Sequence, residues 1–207
     1  PEVVGGKVNT TYFESNACMS TDKKQLFFIS ERVGKGKGNG DIWLAKKTGS
    51  FEYGEAENLA VLNSIDDENS VFLHPNGKTL YFSSNSKESI GGYDIFKSDW
   101  VDGKWTAPVN LGYPINTLGD EMMFTISADG QTGYYATKRD DSFGGYDIYE
   151  VDLSNYRIPS IDKPYAGSQS ITIGDAVSIL KGRVLDKKDG EPMEVTVRIE
   201  NENGKVV

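Results

Sequence analysis

The sequence repeats, and a period of tens of residues limits the fold more than any local propensity does. Asn63 to Trp100 slides onto Asn116 to Leu153 without a gap at an offset of 53, and 13 of the 38 aligned positions are identical. The identities include Asp67/Asp120, Glu68/Glu121, Tyr81/Tyr134 and the run Gly91-Gly92-Tyr93-Asp94-Ile95, which returns as Gly144-Gly145-Tyr146-Asp147-Ile148. A third copy runs from Glu14 through Leu26-Phe27-Phe28 to Asp41-Ile42-Trp43, with one residue of slippage and a looser Gly38-Asn39-Gly40. Pro1, Gly5, Asn9, Thr10 and Glu14 match Pro108, Gly112, Asn116, Thr117 and Glu121 at a constant offset of 107. The expectation is therefore that residues 1–13 are the tail of a unit whose earlier strands lie upstream.

Each unit reads as a four-stranded meander. In the middle copy, Ser70–Leu73 precedes the turn formers Pro75-Asn76-Gly77, and Thr79–Ser83 is rich in β-branched and aromatic residues, a hairpin signature. The loop 85–90 leads to Gly91-Gly92 and a strand over Tyr93–Ser98. Asp102-Gly103 then turns the chain into a fourth strand over Trp105–Leu111. Pro108 has no N–H to give a central ladder, so the fourth strand should be an outer edge. Four-stranded units of this length repeated head to tail predict an all-β fold, a partial β-propeller of about three blades over residues 1–153. Composition agrees: 11% aromatics and 23 glycines favour strands and turns over helices.

After Leu153 the repeat stops. Residues 154–176 are polar, contain Pro159, Pro164 and Gly167, and read as a linker. From Val177 to Val207 the pattern becomes a β-hairpin, with Lys188-Asp189-Gly190 as its turn and Val195 to Glu200 alternating, as at the start of a truncated β-sandwich.

Charge and rare residues then exclude classes of function. A net charge of −9 argues against nucleic acid and polyphosphate partners. One cysteine, Cys18, and one histidine, His74, leave few ways to assemble a zinc site or a histidine-dependent nucleophile. His74 falls where the other copies carry Ser20 and Ser127, and reads as an exposed turn residue. No apolar run reaches the roughly 18 residues of a membrane-spanning helix. No cofactor-binding pattern is found, and no catalytic residue is assigned.

Asp41, Asp94 and Asp147 recur once per blade, and the short carboxylates are placed to accept backbone N–H groups of the Gly38, Gly91-Gly92 and Gly144-Gly145 turns. A cation site with Asp140 and Asp141 is the alternative, but no calcium-loop pattern supports it. Glu14, Glu68 and Glu121 fall where the chain enters each new blade and, with Asp67 and Asp120, would form an acidic ring toward a central channel, binding a cation or a basic partner segment. The competing reading is that each carboxylate satisfies backbone donors of the Ile-Asn-Thr crossover, where Asn9, Asn63 and Asn116 cap the turn. Paired carboxylates also hydrolyse glycosides on some propellers, but a catalytic pair breaks symmetry and these acids repeat. The glycosidase-type Asp box is only approximated, by Ser127 to Thr132, with Gly133 in place of Trp.

Leu80 to Asn85 (LYFSSN), Gly91 to Phe96 (GGYDIF) and the Trp105 to Thr117 pattern W-x-x-P-V-N-L-G-x-x-I-N-T resemble WD-like propeller repeats of the TolB type. In this form they resemble those of large OmpA-family envelope proteins of Bacteroidetes-type bacteria. Leu180 to Met193 (LKGRVLDKKDGEPM) resembles the opening of a carboxypeptidase-regulatory-like domain. The resemblance implies a non-enzymatic scaffold in the periplasm or at the outer membrane, with protein partners and with peptidoglycan bound only through a domain outside these residues. Some such proteins belong to type IX secretion or gliding machinery. Against this stands a carbohydrate-binding or glycoside-hydrolysing propeller.

Overall fold

A computed structural model describes residues 1–139 and 141–156. Asp140, the linker beyond residue 156 and the segment 177–207 lie outside the described residues, and so do the expectations placed on them. Thirteen strands are formed and no helix occurs among the described residues. In chain order they are β1 (Gly5–Gly6), β2 (Glu14–Met19), β3 (Gln25–Ser30), β4 (Asp41–Lys47), β5 (Glu52–Asn58), β6 (Glu68–Leu73), β7 (Thr79–Ser84), β8 (Asp94–Val101), β9 (Lys104–Trp105), β10 (Val109–Asn110), β11 (Glu121–Ile126), β12 (Thr132–Thr137) and β13 (Asp147–Asp152).

The strands make three sheets, one per repeat: β1-β5-β4-β3-β2, then β10-β8-β7-β6 with β9 also on β8, then β11-β12-β13. Apart from β1, which runs parallel to β5, each is an antiparallel meander, so the fold is an all-β partial propeller of successive blades. Registers repeat as well. Ser30 pairs with Asp41, Ser84 with Asp94 and Thr137 with Asp147. Every innermost strand carries a bulge just after its glutamate, between Ser15 and Cys18, Glu68 and Ser70, and Met122 and Thr125. Asn16 and Met123 take positive φ at these bulges, which bend the strand and re-aim the residues that follow.

The fourth strand is the outer edge, but in the middle blade it is not continuous. Trp105 and Val109 flank a break at 106–108, where Thr106 still donates its N–H to Asp99 O of β8 at 2.9 Å but Pro108 has no N–H to give the ladder. The first blade has no proline there, and β5 runs unbroken for seven residues. Residues 1–13 also do more than connect: Gly5-Gly6 adds a short strand parallel to β5.

The core lies between blades. Phe27, Ile42, Leu59, Leu62, Val71, Leu73 and Phe82 fill the first junction, and Tyr81, Ile95, Leu111, Ile115, Phe124 and Ile126 the second. Val4 and Val8 cover the opposite face of the first blade, over Leu26, Phe28 and Trp43. Alternate residues of one strand therefore serve two different junctions, as the two-residue strand period requires.

Candidate functional site

The blade-entry glutamates occupy equivalent cages. Glu68 accepts from Ser64 N (3.1 Å), Ser64 Oγ (2.9 Å) and Ser84 Oγ (2.8 Å). Glu121 accepts from Thr117 N (2.8 Å), Thr117 Oγ1 (2.5 Å) and Thr137 Oγ1 (3.1 Å). Glu14 accepts from Thr10 N (3.0 Å), Thr10 Oγ1 (2.5 Å) and Ser30 Oγ (2.9 Å), and pairs with Arg32 at 3.5 Å. A hydroxyl residue four positions before each glutamate and another on the neighbouring strand build each cage.

Glu68 and Glu121 are 1% and 0% exposed. Their oxygens turn inward to the crossover and do not form a solvent-facing acidic ring. A carboxylate taken from water needs fixed donors, and the entry turn supplies them. Among the described residues no group of three or more His, Cys, Asp or Glu side chains is placed to share a metal ion.

Burial separates the three copies electrostatically. It pushes Glu68 up to about 7 against the bonds from Ser84 and Ser64, with the charge of Asp41 adding to the rise. Burial raises Glu121 too, opposed by Thr117 and Thr137. At the more open Glu14, burial is outweighed by the bonds from Thr10 and Ser30 and by Arg32, and the carboxyl falls below its ordinary value. A folded-state value above the unfolded 4.5 means that folding takes up a proton. The stability due to Glu68 is thus full below pH 4.5 and is lost as pH rises through about 7, by on the order of 3 kcal/mol. The urea midpoint of the wild type is therefore expected to fall over this window relative to Glu68→Gln, which keeps an acceptor but does not titrate. Parallel pH profiles for the two proteins would refute the assignment.

Asp67 and Asp120 are clasps between blades. Asp67 Oδ1 accepts from Gly40 N of the first blade at 3.2 Å, and Asp120 Oδ1 accepts from Tyr93 N of the second at 2.9 Å. Asp120 also accepts from Tyr146 Oη at 2.6 Å, so one carboxylate ties the preceding blade's loop to its own. In the first blade Phe13 fills the aspartate position and Gly40 the tyrosine position, so both halves of that link are missing together.

Asp41, Asp94 and Asp147 lock the loops from within. Asp41 accepts from Lys37 N (2.7 Å) and Gly38 N (3.2 Å), Asp94 from Ile90 N (2.5 Å) and Gly91 N (3.3 Å), and Asp147 from Phe143 N (2.5 Å). Asn58 and Asn110 on the outer strands donate to Asp41 (3.1 Å) and Asp94 (2.6 Å).

Asn63 and Asn116, and His74, behave differently from their sequence reading. Asn63 and Asn116 cap no local turn: each carboxamide pairs with the main chain of the preceding blade, accepting from Ile42 N or Ile95 N (both 2.8 Å) and donating to the same residue's carbonyl (3.1 and 2.8 Å). Asn9 donates only locally, to Val4 O at 2.9 Å. His74 is buried, not exposed, because the third blade's turn comes against it: Nδ1 accepts from Asn76 N at 3.0 Å and Nε2–H donates to Ser127 O at 3.3 Å. Arg32 and Arg139, unremarked in sequence, hold the crossovers. Arg32 donates to Lys7 O and Val8 O over the faces of Phe28 and Trp43, and Arg139 donates to Pro114 O over Tyr135 and Tyr149. Their separation of 107 residues, two repeats, was the available signal.

Gly91 and Gly92 lie directly beneath Thr117–Asp120 of the next blade, whereas nothing lies within 4 Å of a Cβ built on Gly144 or Gly145. Beside this open copy is a cleft of about 550 Å³ lined by Asp141, Phe143, Tyr146, Asp147, Ile148 and Tyr149.

No known family profile matches the sequence, and no curated protein is similar to it. Solved structures that it resembles include TolB from Acinetobacter baumannii (19% identity, TM-score 0.47, 67% of this chain and 29% of that one). Prolyl oligopeptidase B from Galerina marginata is similar at 16% identity and a TM-score of 0.45, over 68% of this chain and 18% of that one. The β-propeller domain of the Trilobed protease from Pyrococcus furiosus is similar at 12% identity and a TM-score of 0.38, over 67% and 40%. The chain thus spans well under half the length of each.

Proposed function

We propose that this chain is part of a non-enzymatic protein-interaction scaffold of the bacterial envelope, periplasmic or associated with the outer membrane. The observation that carries the reading is the commitment of the repeated acids. Glu14, Glu68, Glu121, Asp67, Asp120, Asp41 and Asp94 each spend their oxygens on at least one backbone N–H of a crossover or loop. Such groups position a rigid array rather than activate water or a substrate. Loops on that frame, 85–90 and 138–143, then set specificity for protein partners. The resemblance of the GGYDIF and W-x-x-P-V-N-L-G repeats supports an OmpA-family protein, with residues 1–153 as blades, 154–176 as linker and 177–207 opening a carboxypeptidase-regulatory-like domain. Peptidoglycan contact would belong to another domain. No helix of the described residues is long and apolar enough to cross a membrane.

Affinity capture from a cell-envelope fraction tests the reading, using the full 207-residue chain and a Phe143→Ala variant that alters an exposed loop. The scaffold reading expects proteins retained by the wild type and lost from the variant. Release of reducing sugar from envelope glycan by the wild type, with no protein captured, would overturn it in favour of a carbohydrate-active propeller.

A further inference from the structure

Three equivalent positions on each blade show what the repeat is built to bury. Phe27 and Tyr81 are 1% and 4% exposed, but their counterpart Tyr134 is 42% exposed; Ile42 and Ile95 are 0% exposed, but Ile148 is 81% exposed. Gly38 and Gly91 would each bring a Cβ to 2.5 Å or less from the next blade's backbone, while Gly144 meets nothing. Phe143, beside this glycine, is fully exposed. Among the described residues the third blade therefore presents an uncovered sheet face, and its sister copies define what covers such a face.

The cover is the same at both filled junctions. A crossover brings two apolar residues, Leu59 and Leu62 or Leu111 and Ile115, and an asparagine follows. The Ser/Thr-x-x-Asp-Glu entry crosses the loop next, and an inner strand lays Val71 and Leu73, or Phe124 and Ile126, on the face. Polar pairing recurs in part: at the first junction Gly40 N donates to Asp67 Oδ1 (3.2 Å) and Glu68 N to Gly40 O (2.7 Å). At the second junction Gly92 N donates to Gly119 O (2.8 Å), Tyr93 N to Asp120 Oδ1 (2.9 Å), and Glu121 N to Tyr93 O (2.5 Å). Gly145 N, Tyr146 N and Tyr146 O are the corresponding groups of the third copy.

We infer that the face formed by Gly144, Gly145, Tyr146, Ile148 and Tyr134 is the receiving half of a blade junction and takes the entry strand of a further blade with a Leu/Ile-Asn-Ser/Thr-x-x-Asp-Glu sequence. The occupant is defined by its aspartate, whose carboxylate reaches the Tyr146 N–H, and by apolar residues two apart on the strand that follows. Unrelated apolar segments lack the first feature. A second copy of this chain offers Phe13 in place of the aspartate and Ala17 in place of Val71 or Phe124, and so does not match. Unlike the scaffold reading, this inference needs no statement about compartment or catalysis.

A fluorescein-labelled peptide of residues 111–126, the segment that closes the second junction, is titrated into the full 207-residue chain and read by anisotropy. Saturable binding is expected, weakened more than about tenfold by Ile148→Asp, which places a charge in the apolar contact. Gly144→Val is expected to abolish binding, because a Cβ at the equivalent Gly91 would lie 2.5 Å from the backbone of Thr117, Leu118 and Gly119. Both substitutions fall on open surface, so unchanged melting temperatures show that the variants are folded. A peptide with Asn in place of its Asp120 should bind more weakly than the parent. Equal binding of a scrambled peptide, no binding of the parent, or binding that survives both substitutions would overturn the inference. So would a dimer of the chain that Ile148→Asp dissolves and the peptide does not displace.

Discussion

Gly91→Ala is expected to destabilise the protein by about 3 kcal/mol or more, while Gly144→Ala changes stability by less than about 0.5 kcal/mol. The two glycines hold the same place in the same motif, so propensity and local turn chemistry cancel in the comparison. What differs is space. A Cβ on Gly91 meets Gly119 O, the Leu118 carbonyl carbon and Thr117 O, each at 2.5 Å, and all are backbone atoms that cannot rotate away. To admit the methyl group, the third blade must shift off the second, opening the junction packed by Ile95, Leu111, Ile115 and Phe124. Urea denaturation of the two variants and the wild type measures the difference, and equal losses would show that the loop, not the neighbouring blade, requires glycine.

Asn116→Ala is the second large effect, about 2 to 4 kcal/mol, against less than about 0.5 kcal/mol for Asn9→Ala. The Asn116 side chain is fully buried and supplies the acceptor for Ile95 N. Its amide also donates to Asn110 Oδ1 at 2.7 Å, and Asn110 Nδ2 in turn holds Asp94 at 2.6 Å, so the truncation loosens a chain of bonds reaching the Gly-Gly loop. Ile95 O keeps its bond from Leu111 N at 3.0 Å, leaving the Ile95 N–H as the orphaned group. An unpaired buried donor costs more than a lost bond is worth. Asn9 is exposed and has only its bond to Val4 O. Comparable melting temperatures for the two variants would contradict the role assigned to the carboxamide.

The recurrence of residues in sequence revealed the blades, their hairpins and their edge strands, because strand period, turn chemistry and the cost of an interior proline are local properties. It did not reveal direction. Asn63 and Asn116 reach 21 residues back to a strand already laid down, and no local pattern distinguishes that from capping the turn in which they sit. His74 is the turn residue expected but appeared to be exposed, because the third blade's Ser127, which covers it, is 53 residues away. The glutamates were legible as a repeated set, but whether they faced a channel or a cage depended on the hydroxyl of the neighbouring strand, 16 residues away, that each one meets. Arg32 and Arg139 were hidden because the middle blade has Ser86 at their position. The asymmetry between the third blade and its sisters is invisible in its motif, which is the most regular part of the sequence; it appears only in what does or does not lie against it.

Amide hydrogen exchange in the 207-residue chain tests the central claim that the Gly-Gly-Tyr-Asp-Ile loop at 91–95 is held by the entry of the next blade, while its copy at 144–148 stands open among the described residues. Gly92, Tyr93 and Ile95 amides, bonded to Gly119 O, Asp120 and Asn116, are predicted to exchange slowly, near the global unfolding limit. Gly145, Tyr146 and Ile148, the same positions one repeat later, are predicted to exchange orders of magnitude faster. Equal protection at the two sets of positions would contradict the account, since identical loops would then be held without the blade that distinguishes them.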